Sequence, residues 1–153
     1  MCFALHLGTR TVPSAVPHPD GPPQFWVNLA PRNDEVVRWH FTLPVLSYLG
    51  SDTGCSCGYR NITFQNGGWG AEWFYQNDPD WIGGNQNNHD ALAAYLRRLL
   101  EMEPFVELYG CWEGEWAEPE LHRGEATPDL MADPKFVFRS RGFYLVQPDA
   151  SLR

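Results

Sequence analysis

A period of two runs through the residues near the start of this chain and again past its middle, and a helical period appears only once between them. Across residues 2–8, Phe3, Leu5 and Leu7 fall on one side and Cys2, Ala4 and His6 on the other. That period of two predicts a strand with one face in a core. The same period over residues 105–112 sets Val106, Leu108 and Gly110 against Phe105, Glu107, Tyr109 and Cys111. Residues 45–49 read as a central strand and Phe25-Trp26-Val27 as a short or edge strand, while residues 34–41 fit a helical turn and a strand equally well. The prolines between Pro13 and Pro23 keep residues 11–24 out of regular structure. In the one helical stretch, Leu92, Tyr95, Leu96, Leu99 and Leu100 share a face and Arg97 and Arg98 face out. Asn87 or Asn88 is placed to cap it, Asp90 suits its first turn, and Pro104 stops it near Glu103. Thr127-Pro128 has the form of an N-cap followed by proline at the first helical position, which predicts a short helix over residues 128–132. Phe136-Val137-Phe138 and Phe143-Tyr144-Leu145-Val146 flank Arg139-Ser140-Arg141-Gly142 in the manner of a closing hairpin. Together these elements predict a single α+β domain over residues 1–153. Its sheet is mostly antiparallel, with one main helix packed on it and a C-terminal hairpin.

Composition narrows the function classes. With 153 residues, 43% of them hydrophobic, the chain can bury a core without disulfide or metal staples. No run approaches the roughly 20 apolar residues of a membrane helix. The first residues lack the basic and apolar regions of a secretion signal, so a soluble, cytoplasmic protein without a membrane role is expected. Eleven basic residues against 19 acidic ones leave a net charge of -8, which argues against nucleic acid and is suited to steering a basic protein partner. Lys135 is the only lysine among the basic residues, a usage that points to a GC-rich bacterial genome. Four cysteines in a reducing compartment point to metal, catalysis or burial ahead of a disulfide.

The chemistry-bearing segment is Gly54-Cys55-Ser56-Cys57-Gly58, set directly after the strand at 45–49. Cys2, Cys55, Cys57 and Cys111 are the right number and type for tetrahedral zinc, with His6 or His40 as a substitute for any one of them. A C-x-C pair with two distant single cysteines is a weaker signal than two C-x-x-C knuckles, and buried cysteine is also an ordinary small hydrophobe. A thiol-exchange reading has Cys55 or Cys57 attacking and a neighbour resolving. It lacks a helix starting after the motif to acidify the thiol. Cys2 would become an N-terminal nucleophile were Met1 removed, although Phe3-Ala4 follows it where such enzymes usually carry glycine. Residues 64–87 are dense in Gly, Asn and aromatics. There Trp69, Trp73, Tyr75 and Trp81 offer either a ring-binding ligand platform or cover for a sheet face. The acidic stretch from Glu113 to Glu125 lacks the residue order of a calcium loop and reads as a solvated loop.

The phrases Gly54-Cys55-Ser56-Cys57-Gly58 and Glu107-Leu108-Tyr109-Gly110-Cys111-Trp112, with the Met-Cys start and Phe143-Tyr144-Leu145-Val146 near the end, carry a resemblance. The chain resembles a group of small uncharacterised bacterial proteins that share a G-C-x-C-G turn, a helix and an E-L-Y-x-C-W strand. The resemblance covers most of the chain outside residues 64–87 and implies no activity. Two readings stand. One is a non-enzymatic binding protein with a structural or metal-bound cysteine cluster, which the sequence favours. The other is a thiol-dependent enzyme or redox protein using the Cys55/Cys57 pair, with Cys111 as partner.

Overall fold

A computed structural model describes residues 2–17, 25–30, 32–62 and 84–150. The strands are β1 (Phe3–Thr9), β2 (Trp26–Leu29), β3 (Val45–Gly50), β4 (Asn61–Ile62), β5 (Val106–Trp112), β6 (His122–Ala126), β7 (Phe138–Arg139) and β8 (Gly142–Val146). Two α-helices, α1 (Gln86–Leu100) and α2 (Pro128–Ala132), and two 3-10 segments, Arg32–His40 and Ser56–Gly58, complete the described elements. Six strands form one sheet in the order β2-β3-β1-β5-β8-β6, and β4 and β7 form a separate short parallel ladder. Every pairing in the large sheet is antiparallel except β6 with β8. The fold is therefore α+β, with a mixed, mostly antiparallel sheet and one main helix.

The period of two decides the layers. Phe3, Leu5 and Leu7 of β1 pack with Val106 and Leu108 of β5 against Leu92, Tyr95, Leu96 and Leu100 of α1. Burying a Leu96-sized side chain stabilises the fold by about 1.5–3 kcal/mol, so Leu96→Ala would break this layer most directly. The opposite face is buried too. Val37 from the first 3-10 segment packs with Leu46, Tyr109, Cys111 and Phe143, with Phe41 and Trp116 at the margin. The expectation of one core face for β1 is corrected by this second cover: every residue of the strand is buried. The ambiguous stretch at 34–41 resolves as part of that 3-10 cover.

Asn85 caps α1, its side chain accepting from the Asn87 amide at 2.9 Å, so the cap lies earlier than Asn87 or Asn88. Asn85 has the extended backbone that a cap requires, whereas Asn88 is already helical and buried, which releases its side chain for another task. Thr127 caps α2 with Pro128 in the first turn, as the sequence predicts. The acidic stretch is not entirely loop, because its end, His122–Ala126, is strand β6. A polar edge strand held by backbone pairing to β8 leaves no apolar alternation to read. The chain does reverse at Ser140 and Arg141, and the Arg139 amide donates to Tyr144 Oη across the turn. Its two arms, however, ladder with different strands: β7 with β4, and β8 with β5 and β6.

A polar knot ties these parts behind α1. His89 accepts from the Arg60 amide through Nε2 at 2.9 Å and donates through Nδ1 to the Met131 carbonyl at 3.0 Å, which fixes the neutral tautomer. The Arg60 guanidinium donates to the Phe136 and Asp133 carbonyls and to Gln86 Oε1. No helix among the described residues is long and apolar enough to cross a membrane.

Candidate thiol site

Directly after β3 the backbone turns sharply, and Ser51 organises the turn. The Ser51 amide donates to the Cys55 carbonyl at 2.8 Å, the Gly54 amide to the Ser51 carbonyl at 3.0 Å, and the Gly58 amide to Ser51 Oγ at 2.9 Å. Both flanking glycines have a physical reason. Gly54 has φ 81, a left-handed conformation that other L residues adopt only with strain. At Gly58 a Cβ would come within 2.2 Å of Asp52 Oδ1 and 2.5 Å of Ser51 Oγ.

Helix α1 holds the turn from behind. Asn88 Nδ2 donates to Asp52 Oδ1 at 2.7 Å and to the Gly58 carbonyl at 3.0 Å, and Asn85 Nδ2 donates to Asp52 Oδ2 at 3.0 Å. From the front the turn completes the sheet. The β1–β3 ladder spans His6–Thr9, and the earlier β1 donors at Leu5 and Phe3 go instead to Ser56 Oγ at 2.8 Å and Cys57 Sγ at 3.1 Å. Ser56 Oγ itself donates to the Leu49 carbonyl at 2.7 Å. Side chains of the turn thus stand in for a strand neighbour, which fixes Cys57 against β1.

That docking gathers three of the four cysteines. The sulfurs of Cys2, Cys55 and Cys57 lie within 4.8 Å of one another, all three half-buried, and none of the four cysteines is disulfide-bonded. Cys111 is not in the group. It sits opposite Ala4 on β5, fully buried with Tyr109 and Phe143. Neither histidine substitutes for it. His6 is buried between Tyr48 and Trp116, and His40 stacks on Tyr109 with Nε2 against the Trp116 carbonyl at 2.8 Å. Trp69, Trp73, Tyr75 and Trp81 lie outside the described residues.

The three thiols are electrostatically unequal. Burial pushes Cys55 up, but hydrogen bonds from Thr53 Oγ1, the Cys57 amide and the Cys57 and Cys2 thiols outweigh it, and its pKa falls below the ordinary thiol value. Cys57 is pushed up to about 12, chiefly by burial and by donating to Cys55. Cys2 is raised chiefly by its hydrogen bond to Cys55 and by the Cys55 charge. Of the three thiols Cys55 is therefore the one that loses its proton most readily, with hydrogen bonds from its two neighbours favouring the charged form. A short acidifying element lies within the motif itself, although the next element after the motif is strand β4 and not a helix, in line with the sequence expectation. The 3-10 turn Ser56–Gly58 begins there, and Cys55 is its N-cap, accepting from the Cys57 amide at 3.4 Å.

Sequence reading missed three neighbours. Tyr48, read only as a strand residue, stands close enough that the Cys55 and Cys2 charges help raise its phenol to about 12, burial being the main cause. Thr53 touches Cys55 Sγ at 3.5 Å. Glu113, assigned to a solvated loop, pairs with Cys2: its amide donates to the Cys2 carbonyl at 2.9 Å, and the Cys2 amide reaches Glu113 Oε2 at 3.4 Å. The β1–β5 register carried this signal, because Phe3 opposite Trp112 places Cys2 opposite Glu113. No protein-family model, curated protein or solved structure matches the chain.

Proposed function

We propose that this is a non-enzymatic binding protein whose Cys2, Cys55 and Cys57 thiols hold a single thiophilic metal ion. The observation that carries this reading is the approach of the three sulfurs to within 4.8 Å at a half-buried corner built from two separate chain segments, the start of β1 and the turn after β3. Zinc–thiolate bonds of about 2.3 Å set tetrahedral sulfur–sulfur separations of about 3.8 Å, so small side-chain rotations close the set around an ion. Thiolates select zinc or copper(I) over calcium and magnesium. The ion would cross-link the N-terminal end of β1 to the turn after β3, a structural role. The formal charge of -8 supports a basic protein as partner, and the four free cysteines support the cytoplasm, where thiols stay reduced, as location.

Cobalt(II) titration of the reduced protein tests the reading, because thiolate-to-cobalt charge-transfer absorption grows with the number of sulfur ligands. The expected result is one ion per chain with three thiolates. The band should weaken in Cys2→Ser, Cys55→Ser and Cys57→Ser and persist in Cys111→Ser. A wild-type protein without the band sinks the proposal.

The same three-sulfur contact supports a second reading, a thiol pair that reduces a disulfide substrate: Cys55 attacks one substrate sulfur and releases the first thiol, and Cys57 or Cys2 then attacks the Cys55 sulfur, closing a disulfide within the chain and releasing the second thiol. Reversible loss of two thiols on treatment with oxidised glutathione, with the fold retained, would favour it. Oxidation confined to glutathionylated or scrambled products would count against it.

A further inference from the structure

Three thiols leave a tetrahedral ion one ligand short, and the sheet register supplies a fourth donor. This inference rests on the metal reading above. In an antiparallel pair, directly opposed residues send their side chains to the same face with Cβ atoms about 4.5–5.5 Å apart. The ladder aligns Phe3 with Trp112 and Ala4 with Cys111, and the bond from the Glu113 amide to the Cys2 carbonyl continues it by one residue. Glu113 therefore leaves the sheet beside Cys2 and on its side. From there its carboxylate already reaches back to the Cys2 amide, at a long 3.4 Å. The Glu113 side chain is exposed.

We infer that Glu113 is the fourth ligand, completing a Cys3Glu set with Cys2, Cys55 and Cys57 that is built for zinc(II). The donor chemistry separates zinc from copper(I). Zinc is borderline in softness and accepts carboxylate oxygen at about 2.0–2.2 Å alongside thiolate in a tetrahedron, whereas copper(I) is satisfied by thiolates alone. The pairing also explains the placement of the site. Cys2 and Glu113 come from neighbouring strand ends and Cys55 and Cys57 from the turn beyond β3, so the ion would join β1, β5 and that turn at one corner. Gly114, with φ 95, lies in the turn immediately after Glu113, where the Glu115 amide donates to the Trp112 carbonyl at 3.0 Å.

The test is a competition titration of zinc(II) and of copper(I), each against a chromophoric chelator, on the full chain. It compares wild type, Glu113→Gln and Glu118→Gln. Glu118 is exposed in the same acidic stretch and controls for loss of one negative charge. The expected result is a zinc affinity lowered at least about tenfold by Glu113→Gln and less than about twofold by Glu118→Gln, with copper(I) affinity unchanged in both. Equal zinc affinity in wild type and Glu113→Gln overturns the fourth ligand and leaves the three-thiol site standing. Equal losses in the two variants also overturn it, as a field effect. A wild-type chain that binds neither ion overturns the metal reading and the fourth ligand together.

Discussion

Two polar clusters flank α1, and they are built on opposite principles. In the knot around His89 and Arg60, both ring nitrogens and each of the three guanidinium nitrogens have a protein hydrogen-bond partner, and both residues are buried. At the thiol corner the sulfurs accept weak bonds from the Phe3 and Cys57 amides, remain half-buried, and crowd three titratable groups together. The first arrangement is complete as it stands, and it holds α1, α2 and the β4 approach in place. The second has coordinating capacity left over, with the Cys55 pKa already lowered by its neighbours. Satisfied polar groups hold a fold together, whereas converging groups with donor capacity to spare suit a ligand.

The sharpest way to break the contrast is Arg60→Ala. It strips hydrogen bonds from the carbonyls of Phe136 and Asp133 and from Gln86, and should lower stability by about 3 kcal/mol or more in urea melts. Metal binding by the folded fraction should persist. A loss under about 1 kcal/mol would mean the knot is not the anchor described here.

A similar effect follows from pH. Burial and the Arg60 charge hold His89 down at about 4, against an ordinary 6.5. Between those values the unfolded chain takes up a proton that the folded chain refuses. This contribution therefore falls by about 3 kcal/mol as pH drops from about 6.5 to 4, with no loss from this group above that window. Urea melts at stepped pH should show that slope in wild type and a reduced slope in His89→Gln.

Smaller still is the expected change at the corner. Cys55→Ser should alter metal-free stability by under about 1 kcal/mol, since the side chain is half-buried and accepts only weak bonds. Zinc at about 100 times its Kd should raise wild-type stability by about 2.7 kcal/mol and leave this variant unmoved. Thermal melts with and without zinc read both numbers.

Much of the architecture was legible because periodicity is local. The alternations at Phe3, Leu5 and Leu7 and at Val106 and Leu108, the helical face of α1 and the Thr127-Pro128 start all depend on a few neighbouring residues. What escaped depends on pairing. His122–Ala126 is a strand because β8 lies beside it, and β7 departs from β8 because β4 lies beside it. The site divides in the same way. The Gly-flanked turn announced Cys55 and Cys57, and alternation put Cys2 on a defined face. Only the register separates Cys111, opposite Ala4, from the cluster and brings Glu113 opposite Cys2. Asn88 likewise proved a clamp on the cysteine turn, a role that a capping rule has no means of detecting.

The most direct test of the account is native mass spectrometry of the fully reduced chain loaded with one equivalent of zinc, paired with its denatured mass. Wild type and Cys111→Ser should each carry one zinc that disappears on denaturation, while Cys2→Ser, Cys55→Ser and Cys57→Ser should lose it. A wild-type chain that stays bare under these conditions, or zinc retained by all three serine variants, would contradict the assignment of this corner as a metal site.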